Sequence, residues 1–200
     1  MNAVHHPVLT PQVSEARQNR ARKFFDDAIR ERNGDNLRYA IYALGRAICE
    51  DPAQRHYAKE FLATLSSPAM RKPSWFSGLF KRIGLNRKME QAISESRWAD
   101  ALATATQLAP FRPQNRAVFL ALSQACVGLK CYDSAVVYLR FAHKLWPHDL
   151  TVNRYCGRVL GKVGMIDEAV GCWHRVKEHL PHDSEALTEM CRLTTKKVLG

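Results

Sequence analysis

The chain has 200 residues, 46% of them apolar and 24% charged, which predicts a soluble globular protein with one substantial core rather than a disordered polymer. Its net charge of +11 comes from 30 Lys and Arg against 19 Asp and Glu, so acidic partners, phosphates or anionic lipid are favoured over basic ones. The opening MNAVHHPVLTPQVSEARQ lacks a basic start followed by an apolar run, and no stretch approaches the roughly eighteen apolar residues of a spanning helix. The expected compartment is the cytoplasm.

In chain order, residues 1–13 hold two prolines and little periodicity and are expected to form a mobile arm. Residues 14–65 contain a pair of amphipathic helices closing at Pro52, with Ala28, Leu37, Ala40, Leu44 and Ala47 as their contact positions, and then a further helix at about 54–65. Residues 66–85 form a basic amphipathic insertion. In it Trp75, Phe76, Leu79, Phe80 and Ile83 share one helical face, with Arg71, Lys72, Lys81 and Arg82 around them. Three roles are open for this segment: packing on the neighbouring helices, docking a partner helix, or attaching to an anionic membrane.

Residues 86–115, 116–149 and 150–183 repeat one another. The Pro-His-Asp triplets at Pro147 and Pro181 are 34 residues apart, and the same register pairs Asp133 with Asp167, Ala135 with Ala169, Leu139 with Trp173 and Ser123 with Gly157. A further step back pairs Trp98 with Tyr132, Ala101 with Ala135 and Pro113 with Pro147. Within the last copy, Val152, Tyr155, Cys156, Val159 and Leu160 form one helical stripe, Gly164 ends it, and Ala169, Val170, Trp173 and Val176 form the stripe of a second, antiparallel helix. Gly157 and Ala169 are expected to let the two backbones approach closely, with Trp173 filling the space between neighbouring hairpins. SEALTEMCRLTTKKV restarts the first-helix pattern with no second helix after it, so residues 184–200 are expected to cap the array.

RAVFLALSQACVGLKCYDSAVVYLRFAHKLWPHD and LTVNRYCGRVLGKVGMIDEAVGCWHRVKEHLPHD, with small residues at fixed contacts and a closing proline every 34 residues, resemble the tetratricopeptide repeat (TPR) family. The resemblance is carried by residues 116–183 and by 21–54; in 86–115, Lys88, Ala105 and Pro110 depart from the pattern. It implies an all-α, right-handed superhelical solenoid of stacked antiparallel helical hairpins. It also implies a scaffold or adaptor that binds a protein segment in a concave groove lined by the first helix of each repeat.

Catalysis finds no support in the residues. There is no glycine-rich phosphate loop, HExxH or GxSxG, and no cofactor is expected. Cys49, Cys126, Cys131, Cys156, Cys172 and Cys191 form no CxxC pair and are read as reduced, mostly buried small hydrophobes. No metal site is expected.

The candidate binding residues lie on the groove side of the repeats. Arg154, Arg158 and Lys162 recur at four-residue steps along one ridge, and Arg192 and Lys196 repeat that spacing on the capping helix. The expected partner is a protein or peptide with an acidic segment, whose carboxylates the arginines would grip with forked hydrogen bonds. Trp75, Phe76, Leu79, Phe80, Lys81 and Arg82 are the alternative contact surface, for a partner or a membrane. A regulator touching nucleic acid is the third reading, although no recognition module accompanies the charge.

Overall fold

The structure is a computed structural model that describes residues 13–71 and 79–199, with the backbone alone at 71 and 79–82. Among the described residues the chain is all-helical and contains no strand. The helices are α1 (Glu15–Asn33), α2 (Leu37–Glu50), α3 (Arg55–Leu65), α4 (Leu79–Ser94), α5 (Trp98–Leu108), α6 (Arg116–Gly128), α7 (Tyr132–Leu145), α8 (Leu150–Lys162), α9 (Ile166–His179) and α10 (Ser184–Leu199). Trp75 and Phe76 fall outside the described residues. Because α4 begins at Leu79, the last part of segment 66–85 runs without a break into the first helix of segment 86–115.

Burial follows the three- and four-residue periodicity. On α9 the buried side chains are Ala169, Cys172, Trp173 and Val176, and on α8 they include Val152, Cys156, Val159 and Leu160. Consecutive helices pack as hairpins, α1 on α2, α4 on α5, α6 on α7 and α8 on α9, and α10 lies on α9. The three later hairpins share one turn. Ser96, Lys130 and Gly164 stand 34 residues apart, and each has a left-handed backbone with φ of 56°, 60° and 83°. After each, the next amide closes back over the helix end: Arg97 N–H on Ala92 O at 2.8 Å, Cys131 N–H on Cys126 O at 2.8 Å, Met165 N–H on Leu160 O at 2.9 Å. This is the Schellman arrangement, which satisfies otherwise orphaned carbonyls. Asp35 (φ 61°) and the Asn36 N–H to Glu31 O bond build the same turn between α1 and α2.

The joints between hairpins are built as uniformly. Asp149, third residue of the first Pro-His-Asp triplet, caps α8 by accepting from Val152 N–H at 3.0 Å, and Asp183 of the second triplet accepts from Ala186 N–H at 2.8 Å at the start of α10. Both aspartates also receive an arginine from the first helix of the preceding hairpin, Arg116 and Arg154 respectively. The triplet thus ends one hairpin, starts the next helix and ties the two together.

The first three helices depart from simple end-to-end stacking. α2 packs on α5 as well as on α3, and α3 packs on α7. At the first contact, a Cβ on Gly45 would sit 3.4 Å from Thr106 Cβ, and Cys49 Sγ lies 3.8 Å from Thr106 Oγ1. At the second, α3 buries Tyr57, Ala58, Phe61, Leu62 and Leu65. Asp51, between α2 and α3, is itself buried and raises the Cys131 thiol at the start of α7, which burial foremost pushes up to about 11. α3 thus lays its apolar face across a second helix two hairpins further on.

Trp173, expected between neighbouring hairpins, lies against Gly157 of its own hairpin. The space between hairpins is taken at the position of Trp98 and Tyr132. A Cβ on Gly128 would come within 2.2 Å of the Trp98 ring, and Lys162 Nζ stands 5.4 Å from the centroid of the Tyr132 ring.

Candidate functional site

The first helices α4, α6 and α8 pack side by side and form one face of the molecule. On α8 the buried stripe occupies the opposite side, so Arg154, Arg158 and Lys162 point away from the core along a single ridge. Arg154 is half-buried, and Arg158 and Lys162 are exposed. Arg192 and Lys196 are exposed on α10 next to this ridge.

The structure adds acidic partners that spacing alone did not reveal. Arg154 donates through Nη1 to Glu185 Oε2 at 3.1 Å and through Nη2 to Asp183 Oδ2, while Arg158 donates through Nε to the other oxygen of Glu185. One carboxylate is therefore held by two guanidinium groups. Arg192 grips Glu189, one turn earlier on its own helix, at 2.6 Å. Lys162 stands over Tyr132. Among the described residues neither Lys162 nor Lys196 forms an ion pair.

The titration behaviour agrees with this geometry. Hydrogen bonding from Arg158, helped by Arg154, holds the Glu185 carboxyl below its ordinary range. The Ala186 backbone N–H, and then Arg154, do the same for Asp183. Glu185 in turn raises Arg158, and Glu189 raises Arg192. Chemically the ridge presents guanidinium donors to carboxylates, and those of Asp183 and Glu185 already occupy part of it.

A sequence signal for the Arg154 contact did exist. Arg116 and Arg154 each lie early on a first helix and precede the aspartate of the next Pro-His-Asp triplet, and both pairs meet. The ridge is separate from the alternative surface at the insertion. There, Leu79, Phe80, Lys81 and Arg82 form the first turn of α4, described as backbone only, and Trp75 and Phe76 lie outside the described residues. No described helix is long and apolar enough to cross a membrane.

No protein-family model matches the chain, and no curated protein matches its sequence.

Proposed function

We propose that the protein is a non-catalytic, tetratricopeptide-like helical scaffold that holds an acidic segment of a partner protein on the face formed by α4, α6, α8 and α10. The 34-residue recurrence of the left-handed turns at Ser96, Lys130 and Gly164, together with the two capping aspartates of the Pro-His-Asp joints, supports the repeat architecture. One observation carries the binding role: Glu185 is gripped by Arg154 and Arg158 at once, so this ridge already recognises a carboxylate presented from a helix. Arg158 retains a side-chain exposure of 55%, leaving part of its guanidinium open to a second acidic group. Lys162 and Lys196 extend the same positive field to either side.

The test uses a glutamate-rich peptide and the charge reversals Lys162→Glu and Lys196→Glu, which break no ion pair among the described residues. Affinity should fall by about tenfold or more in the double variant, equivalent to about 1.4 kcal/mol, and the melting temperature should stay at that of the parent. Peptide binding should also weaken as salt rises. Unchanged affinity would move the binding surface elsewhere. Retention on anionic vesicles that is lost on changing Phe80 to Ser would favour the membrane reading, and steeply salt-dependent retention on duplex DNA would favour the nucleic-acid one.

A further inference from the structure

On the opposite side of α8 from the basic ridge, a cleft of about 360 Å³ opens between α7 and α9. Its wall includes Arg140 and His143 of α7, Cys156 and Leu160 of α8, and Cys172 and Arg175 of α9. The close approach of α8 and α9 at Gly157 and Trp173 brings the preceding residues of the two helices together, so Cys156, whose Sγ lies 3.9 Å from Leu139 O, and Cys172 line the same narrow cleft. Sixteen residues apart in sequence, they give no motif.

We propose that Cys156 and Cys172 are a two-electron oxidation site, closing a disulfide across the α8–α9 hairpin when a small hydroperoxide enters this cleft. Both cysteines are free thiols, and they share the cleft wall. Among the described residues no group of three His, Cys, Asp or Glu side chains converges as a metal-ligand set, so the thiols act as a pair. Their residue exposures of 1% and 3% exclude a bulky disulfide such as oxidised glutathione and select a small oxidant.

The two thiols are not equivalent. Arg175 folds back along α9 to donate to Gly171 O at 3.0 Å, next in sequence to Cys172; the neighbouring Cys156 and then this charge lower the Cys172 thiol, while Cys156 is raised by its neighbour and by burial. Cys172 is therefore the attacking sulfur. As a thiolate it takes one oxygen of hydrogen peroxide; the O–O bond breaks, Cys172 becomes a sulfenic acid, and the proton it gave up leaves with the departing oxygen as water. The Cys156 sulfur then attacks the Cys172 sulfur. The S–S bond forms, the S–O bond breaks, and a second water departs with the Cys156 proton. Two thiols lose two electrons and two hydrogens, and the peroxide is reduced.

The experiment treats the folded full chain with hydrogen peroxide in a Cys191→Ser background, because Cys191 is exposed and would otherwise cross-link molecules. Trypsin cuts at Lys162, between the two cysteines, so their peptides stay together only through a disulfide. The expected product has lost two hydrogens in mass and carries the Cys156–Cys172 peptide pair. In Cys156→Ser, a dimedone-type reagent should trap a sulfenic acid at Cys172; in Cys172→Ser, Cys156 should stay reduced. The first measurement keeps both cysteines, so a variant that fails to fold does not spoil it. A folded chain whose Cys156 and Cys172 remain thiols under peroxide overturns the site, as does oxidation confined to Cys49, and a sulfenic acid on Cys156 overturns the order of attack.

Discussion

A Cβ placed on Gly157 would stand 2.6 Å from both Cε2 and Nε1 of Trp173. The indole is fully buried and is the largest side chain in the core, so it has little room to give. Gly157→Ala should cost about 1–3 kcal/mol through overpacking, and Trp173→Ala about 3–5 kcal/mol through the cavity left behind. Chemical denaturation checks both. A parent-like midpoint for either variant would mean that the α8–α9 contact is not closed as described.

The recurrent turn allows a prediction of opposite sign. Lys130 holds a left-handed backbone without being glycine, at a strain of about 1–2 kcal/mol. Lys130→Gly relieves that strain but loses roughly 0.5–1 kcal/mol of chain entropy. The net expectation is a stabilisation of roughly 0.5–1 kcal/mol. Gly164 has the same conformation and open space around it, so Gly164→Ala should destabilise by a similar amount of roughly 0.5–1 kcal/mol through backbone strain alone. Thermal melts of the two variants should therefore move in opposite directions.

Arg154 and Arg158 fix the start of α10 through Asp183 and Glu185, so reversing both arginines to Glu should loosen α10 as well as remove partner binding. From spacing alone the same substitutions are expected to leave the melt unchanged. Amide exchange across α10 distinguishes the two expectations, with faster exchange in the double variant supporting the ion pairs.

Acid should release the same helix. Asp183 and Glu185 both titrate below their ordinary values, near 4 in an unfolded chain. Groups depressed in this way contribute stability fully above the unfolded value and lose it as pH falls through the folded one. α10 exchange should accordingly rise below about pH 4 while the α8–α9 hairpin stays protected. Glu185→Gln should flatten the pH response, and an unaltered response in that variant would rule out Glu185 as its source.

Phe61 tests the contact of α3 with α7. It is fully buried on a helix whose neighbours are α2 and α7. Phe61→Ala should cost about 3–5 kcal/mol by equilibrium unfolding. If α3 were a detachable appendage, the main transition would be unmoved.

The helical periodicity, the joints at Pro147 and Pro181, the turn at Gly164 and the ridge of Arg154, Arg158 and Lys162 are all legible in the residues, because each is a local relation within a few turns of helix. Three features are not. Trp173 could serve equally well within a hairpin or between hairpins, since a buried stripe does not say which neighbour faces it. The Cys156 and Cys172 pair depends on where two helices cross, and no spacing rule encodes that crossing. The packing of α3 on α7 joins surfaces separated by α4, α5 and α6, and a contact of that span leaves no periodic trace.

That same span governs how the molecule comes apart. In a strictly linear array each unit touches only its neighbours, stability is a sum of local terms, and the ends fray independently. Here α2 reaches α5 and α3 reaches α7, so the first helices act as a clasp across the middle of the chain. Opening α7 alone would strip the cover from α3 as well, which couples the helices from α2 to α7 into one cooperative unit. Closing the clasp requires bringing distant segments together before any of its contacts form, which slows folding relative to a linear repeat of equal length. From α2 to α7 the chain exchanges the piecemeal unravelling of a string of beads for the single release of a buckle, while α10, outside the clasp, stays free to open by itself.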